Sequence, residues 1–132
     1  MTTFVDTSAF LAVLSRGDQF HQEAAELWQD LINQGERLIC NNYVIVETTA
    51  LLQRRFGLEA VRALQEDAMR RLVVIWLDET DHQQAVTALL AANRRQLSLV
   101  DCSAMTTMRT LGIRHVFSFD AHFDDYGFER LP

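Results

Sequence analysis

The sequence predicts an α/β protein, a three-layer α/β/α sandwich built on a central parallel sheet of about four or five strands. Three observations lead there. Short apolar runs recur along the chain, each too brief for a helix. Between them lie longer stretches whose apolar residues repeat at helical spacing. The two kinds of segment alternate regularly, and that alternation gives parallel strands joined by helical crossovers. No repeat or Pro/Gly-rich linker divides the 132 residues, so a single domain over 1–132 is expected.

Thr3–Val5 reads as a short buried strand ending at Asp6. Thr7 or Ser8 then caps a helix to Leu14, stopped near Gly17. Asp18 is expected to cap a second helix, where Ala24, Ala25, Leu27, Trp28, Leu31 and Ile32 share a face and Gly35 follows the end. Leu38–Cys40 is a strand. Asn41 or Asn42 opens a third helix to about Phe56, broken by Gly57. Leu58–Arg71 is a fourth helix, and Leu72–Leu77 a strand buried on both faces. Thr80 or Asp81 starts a helix through Arg95, and Leu99–Leu111 is another, ended by Gly112. His115–Phe119 is a strand reaching Asp120, and Phe128–Leu131 adds a last edge strand.

Composition narrows the chemistry. Eighteen acids against twelve bases give a net charge of −6, which argues against bulk attraction to nucleic acid or an anionic membrane. All twelve bases are Arg, and without lysine there is no P-loop lysine, Schiff base or lysine general base. Cys40 and Cys102 match no metal spacing and read as buried reduced thiols. The four histidines show no HxxxH or HxxEH pairing, which argues against a zinc hydrolase, and His122 reads as a turn or surface residue within reach of a substrate. The Arg pairs Arg54-Arg55, Arg70-Arg71 and Arg94-Arg95 fall near helix C-termini, where they complement the dipole. The longest apolar runs, Ala9–Leu14 and Leu72–Leu77, are too short to cross a bilayer, and a cytoplasmic location is the expectation.

Most of the acids sit on polar helix faces or in first turns. Four do not. Asp6 and Asp120 close apolar strands, and each is readable alone as a helix or turn cap. Glu47 shares a helix face with Val44 and Leu51, and Asp101 shares one with Ala104, Met105 and Met108. A carboxylate on an apolar stripe loses hydration unless something compensates. In open parallel sheets ligands collect beyond the carboxyl ends of the strands, where Asp6 and Asp120 sit and near which the two helix faces are expected to pack. Like charges about 4 Å apart repel by roughly 4 kcal/mol at an effective dielectric of 20. A bound cation relieves that, and an all-oxygen site suits Mg²⁺ or Mn²⁺, hence phosphate chemistry.

The segments Phe4-Val5-Asp6-Thr7-Ser8, Val46-Glu47, Val100-Asp101-Cys102-Ser103-Ala104 and Phe117-Ser118-Phe119-Asp120-Ala121-His122-Phe123, in this order, resemble the PIN-domain nucleases, and among them the VapC-type toxins of bacterial toxin–antitoxin pairs. The resemblance runs the length of the chain. It implies a PIN-like fold and an endoribonuclease dependent on Mg²⁺ or Mn²⁺, leaving 5′-phosphate and 3′-hydroxyl ends. It implies that Asp6 and Asp101 are the firmest metal ligands, with Glu47 and Asp120 completing the coordination or positioning water. Ser8 and Ser118 would orient those carboxylates, and Asp124 would be a peripheral ligand or a solvated turn acid. A homodimer and a small antitoxin are the implied partners, with the apolar helices around Val44–Phe56 and Leu58–Leu72 as contact surfaces. A solitary RNA-processing nuclease and a catalytically silent module of the same fold remain open at this stage. A phosphoryl-accepting receiver domain lacks its lysine. Four acids in one site would carry −4 of the −6, leaving the rest of the body near neutral.

Overall fold

All five expected strands form, and every pairing between them is parallel. The computed structural model describes residues 1–132. β1 (Thr2–Val5), β2 (Arg37–Asn41), β3 (Leu72–Ile75), β4 (His115–Phe117) and β5 (Glu129–Leu131) lie in the order β3-β2-β1-β4-β5. Phe4 on the central strand faces Ile39 on one side and Val116 on the other, and all three are buried. Six helices connect the strands: α1 (Thr7–Leu14), α2 (His21–Asn33), α3 (Asn42–Phe56), α4 (Leu58–Glu66), α5 (Glu79–Ala92) and α6 (Leu99–Leu111).

The chain builds outward from β1 through β2 to β3, then returns to place β4 on the far side of β1. Right-handed crossovers made in opposite directions put their helices on opposite faces. The packing follows: α1 meets α2, α3 and α4, while α5 pairs with α6. The carboxyl ends of β1 and β4 therefore flank the point where the topology reverses, the place where such sheets leave a crevice. Phe10, Phe117, Phe123, Leu52 and Met108 are among the fully buried side chains of the core beneath it.

Several boundaries differ from the sequence expectation, each for a local reason. The helix expected over Leu58–Arg71 ends at Glu66, and Ala68–Arg71 tightens into a 3₁₀ turn before the next strand, as helix ends often do. The strand expected over Leu72–Leu77 stops at Ile75, because the Leu77 N–H leaves the ladder and donates to Asn42 Oδ1. Nor is that strand buried on both faces. It is an edge that pairs only with β2, and Val73 and, just beyond the strand, Trp76 are 40% and 71% exposed. α2 starts at His21 because Asp18 instead accepts the Phe20 N–H. α5 starts at Glu79, capped by Asp78, and stops short of Arg95 because Asn93 adopts a left-handed conformation. β4 ends at Phe117, and the Phe119 N–H turns to Ser8 Oγ. A 3₁₀ turn, Ala121–Tyr126, occupies the segment before β5.

Candidate active site

Asp6 sits at the position that caps α1, yet its side chain makes no capping bond. Its Oδ2 instead faces the hydroxyls of Ser118, at 3.0 Å, and Ser8, at 3.2 Å. Each hydroxyl is fixed from behind: the Asp120 N–H donates to Ser118 Oγ and the Phe119 N–H to Ser8 Oγ, both at 2.9 Å. The two hydroxyls also lie 3.1 Å apart. Two protons cannot serve three contacts, and giving both to Asp6 is the arrangement that supports its ionised form. Asp6 is buried, and that burial, with Asp101 next in effect, pushes its pKa up to about 7. The Thr7 amide and the Ser118 hydroxyl offset part of the rise, and Asp120 adds to it.

Asp101 is the third residue of α6. Its Oδ2 accepts the Ser98 N–H while Ser98 Oγ accepts the Asp101 N–H, a reciprocal box that fixes the side chain. The helix itself is held from below by Asn41 at the end of β2. That buried amide donates to Ser103 Oγ and Thr107 Oγ1 and accepts the Val44 N–H that starts α3. One side chain thus ties α3 and α6 together at the crevice. Sequence reading took Asn41 for a possible cap and had no way to see its second partner, 62 residues away.

Asp120 Oδ1 accepts the His122 N–H in the 3₁₀ turn. Ligand atoms of Asp101, Asp120 and His122 lie within 4.8 Å of one another. Asp6 adjoins this group through its repulsion with Asp101 and Asp120. Glu47 lines a pocket with Asn42, Tyr43, Val46 and Val100, the residue before Asp101. Asp124 lies outside the group: its two oxygens meet Arg130 Nε and Nη2 at 3.2 and 3.1 Å. No arginine pairs with Asp6, Glu47, Asp101 or Asp120; the arginine ion pairs go to Glu59, Asp125, Glu129 and Asp124. His122, read from sequence as a turn or surface residue, is half-buried against the carboxylates. Its two-residue spacing from Asp120 was the only available signal.

A set of clustered carboxylates with no arginine partner fits a divalent cation. The family described as PIN domain matches residues 3–129. The chain belongs to the PIN-domain family. Among relatives, the 23S rRNA-specific endonuclease VapC20 of Mycobacterium tuberculosis is 33% identical over 128 residues, covering 95% of this chain and 94% of the relative. A VapC ribonuclease of Aquifex aeolicus is 25% identical over 131 residues, 96% of this chain and 93% of that one. The crystal structure of M. tuberculosis VapC20, described as a sarcin-ricin loop cleaving toxin, superposes with a TM-score of 0.85 at 31% identity, covering 97% of this chain and 96% of that chain. FitAcB from Neisseria gonorrhoeae shares the fold at a TM-score of 0.69 and 12% identity, with 100% and 97% covered. This PIN domain is accordingly a VapC-family endoribonuclease toxin of a toxin–antitoxin system. PIN nucleases are metal-dependent, and the acidic cluster that dependence requires is present. No helix is long and apolar enough to cross a membrane.

Proposed function

We propose that the crevice at the β1–β4 junction is the catalytic centre, that Asp6, Asp101 and Asp120 gather around Mg²⁺ or Mn²⁺ there, and that Glu47 positions the attacking water. The observation that carries this reading is Asp6. A carboxylate fully removed from water beside two others, with no protein cation opposite, is destabilised as it stands and becomes favourable once a divalent ion is supplied. Such an ion supplies positive charge against a phosphate and acidity toward water.

The chain's own residues do the rest. Ser8 and Ser118 hold Oδ2 of Asp6 and leave Oδ1 available to a cation. The Ser98 amide anchors Oδ2 of Asp101, and the His122 amide anchors Oδ1 of Asp120. Water adds to phosphorus in line with the departing oxygen, the phosphorus–O3′ bond breaks, and a proton passes to O3′, giving 5′-phosphate and 3′-hydroxyl ends. Asp124, already paired with Arg130, keeps a structural part in holding the turn against β5. By relation to VapC20, ribosomal RNA is the first substrate to test. A small antitoxin and a second copy of the chain are the proposed partners, and exposed Val46, Phe56 and Leu58 on α3 and α4 offer them apolar surface. The domain is proposed to act in the cytoplasm as one unit over residues 1–132.

The test is metal binding joined to cleavage. Mg²⁺ or Mn²⁺ at a hundred times its dissociation constant stabilises the fold by about 2.7 kcal/mol, and a chelator abolishes RNA cleavage. Unchanged melting under both ions, or cleavage that survives chelation, overturns the assignment.

A further inference from the structure

The donor set of the crevice is not all oxygen. His122 follows Asp120 by two residues, and its backbone N–H donates to Asp120 Oδ1 at 2.9 Å. Its Nδ1 lies 3.6 Å from that same oxygen, beyond hydrogen-bond reach. The atom is buried and has no hydrogen-bond partner. The other three histidines are all engaged: His21 Nδ1 with the Ala12 carbonyl, His82 Nδ1 with the Tyr43 hydroxyl, and His115 Nε2 with Glu129. A buried, unpartnered ring nitrogen calls for a specific explanation.

Geometry supplies one. Two donors held about 2.1 Å from one octahedral ion lie roughly 3 Å apart when adjacent and roughly 4.2 Å apart when opposite. The 3.6 Å between His122 Nδ1 and Asp120 Oδ1 exceeds the adjacent spacing by about 0.6 Å, a gap that a small turn of either side chain closes, and the ligand atoms of the two residues and Asp101 lie within 4.8 Å of one another. We propose that His122 is a direct nitrogen ligand of the divalent ion shared with Asp101 and Asp120, and that it biases the centre toward Mn²⁺ over Mg²⁺. The inference rests on the catalytic reading above and adds to it the identity of the preferred ion. Mg²⁺ favours oxygen donors, whereas imidazole strengthens binding of first-row transition ions. Coordination through Nδ1 leaves the ring proton on Nε2.

The experiment is pulsed electron paramagnetic resonance on the Mn²⁺-loaded full chain, with Mn²⁺ and Mg²⁺ titrations of the native protein, His122→Gln and His122→Ala. The native protein is expected to show ¹⁴N coupling of a directly bound nitrogen, and both variants to lose it. Mn²⁺ affinity is expected to fall tenfold or more in the variants, a loss that even outer partners of metal sites produce at about that scale, while Mg²⁺ affinity falls less. The metal-free melting temperature of His122→Gln reports that the fold is intact, and the native spectrum tests the idea without any variant. Tight Mn²⁺ binding with no ¹⁴N coupling in the native protein overturns the ligand assignment and leaves the carboxylate centre standing. An Mn²⁺/Mg²⁺ ratio unchanged in both variants overturns the claimed preference. If neither ion binds the native protein, the catalytic reading fails and this inference fails with it.

Discussion

At the start of α5, Asp78 Oδ1 accepts the Asp81 N–H at 3.0 Å while Asp81 Oδ2 accepts the Asp78 N–H at 3.0 Å; at the start of α6, Ser98 and Asp101 exchange the same two bonds at the same two distances. The local chemistry is one reciprocal capping box used twice. What differs is the surroundings. Asp81 borders Gln84, Thr106 and Thr110, and the carboxylate beside it is that of its own cap, Asp78. Asp101 stands opposite Asp6 and Asp120, close enough to raise the pKa of Asp6. A helix start thus becomes part of a carboxylate cluster through what the sheet delivers to it. Its own sequence grammar does not decide the matter.

The sharpest way to break this comparison is to neutralise the third residue of each box. Asparagine keeps a carbonyl oxygen for the capping N–H, so Asp101→Asn and Asp81→Asn should both retain their helices. Asp101→Asn is expected to slow RNA cleavage at least about a hundredfold, the scale on which loss of one electrostatic partner acts at a reacting centre. Asp81→Asn is expected to stay within about twofold, because nothing there meets substrate. Single-turnover cleavage of ribosomal RNA measures both. Equal activity in the two variants would erase the distinction between the helices.

A second contrast is in the sign of the pH dependence. The folded state raises Asp6 from 3.8 to about 7, so it binds the Asp6 proton more tightly than the unfolded chain does. That contribution is complete below pH 3.8 and is lost as pH rises through about 7, weakening the metal-free fold on the order of 4 kcal/mol. Asp78 runs the other way. Backbone N–H bonds, that of Asp81 foremost, hold its pKa below the ordinary value, so its smaller contribution is present at neutral pH and lost on acidification. Urea unfolding in chelator across this range should show Asp6→Asn flattening the loss toward neutrality and Asp78→Asn flattening the acid limb. A metal-free stability that is flat from pH 4 to 7 in the native protein would contradict the burial of an unpartnered Asp6.

The same contrast explains what the sequence could and could not disclose. The alternation of strands and helices was legible because burial imposes period 2 or 3.6 on every element, and Asp6, Asp101 and Asp120 stood out against those patterns. Glu47 stood out equally, and the fold sets it in a pocket beside Val100, the residue before Asp101. The edge character of β3 was not legible, since Leu72–Leu77 reads the same whether one neighbour or two lies beside it. Asn41, read only as a cap, and His122, read only as a turn or surface residue near the substrate, were understated for another reason. Their significance comes from partners brought by the tertiary fold, a hydroxyl pair on α6 and a carboxylate cluster, and no local spacing encodes either.

The smallest expected effect separates capping from catalysis most cleanly. Ser98→Ala and Asp78→Ala each remove the side-chain acceptor of one box, and each should cost about 1 kcal/mol of stability. In α5 that is the whole effect, because no functional group depends on the first turn. In α6 the Asp101 N–H loses its acceptor, the turn frays, and the carboxylate it carries is held only by the Ser98 amide. Metal affinity should then fall about tenfold, in keeping with lost support for a ligand, and excess metal should restore most of the cleavage rate. Ser98→Thr keeps an oxygen acceptor at the cap and should recover both stability and metal affinity. If Ser98→Ala and Asp78→Ala cost the same stability and leave metal affinity equal, the box does not hold Asp101 in place, and the packing of α6 through Asn41 must position it alone.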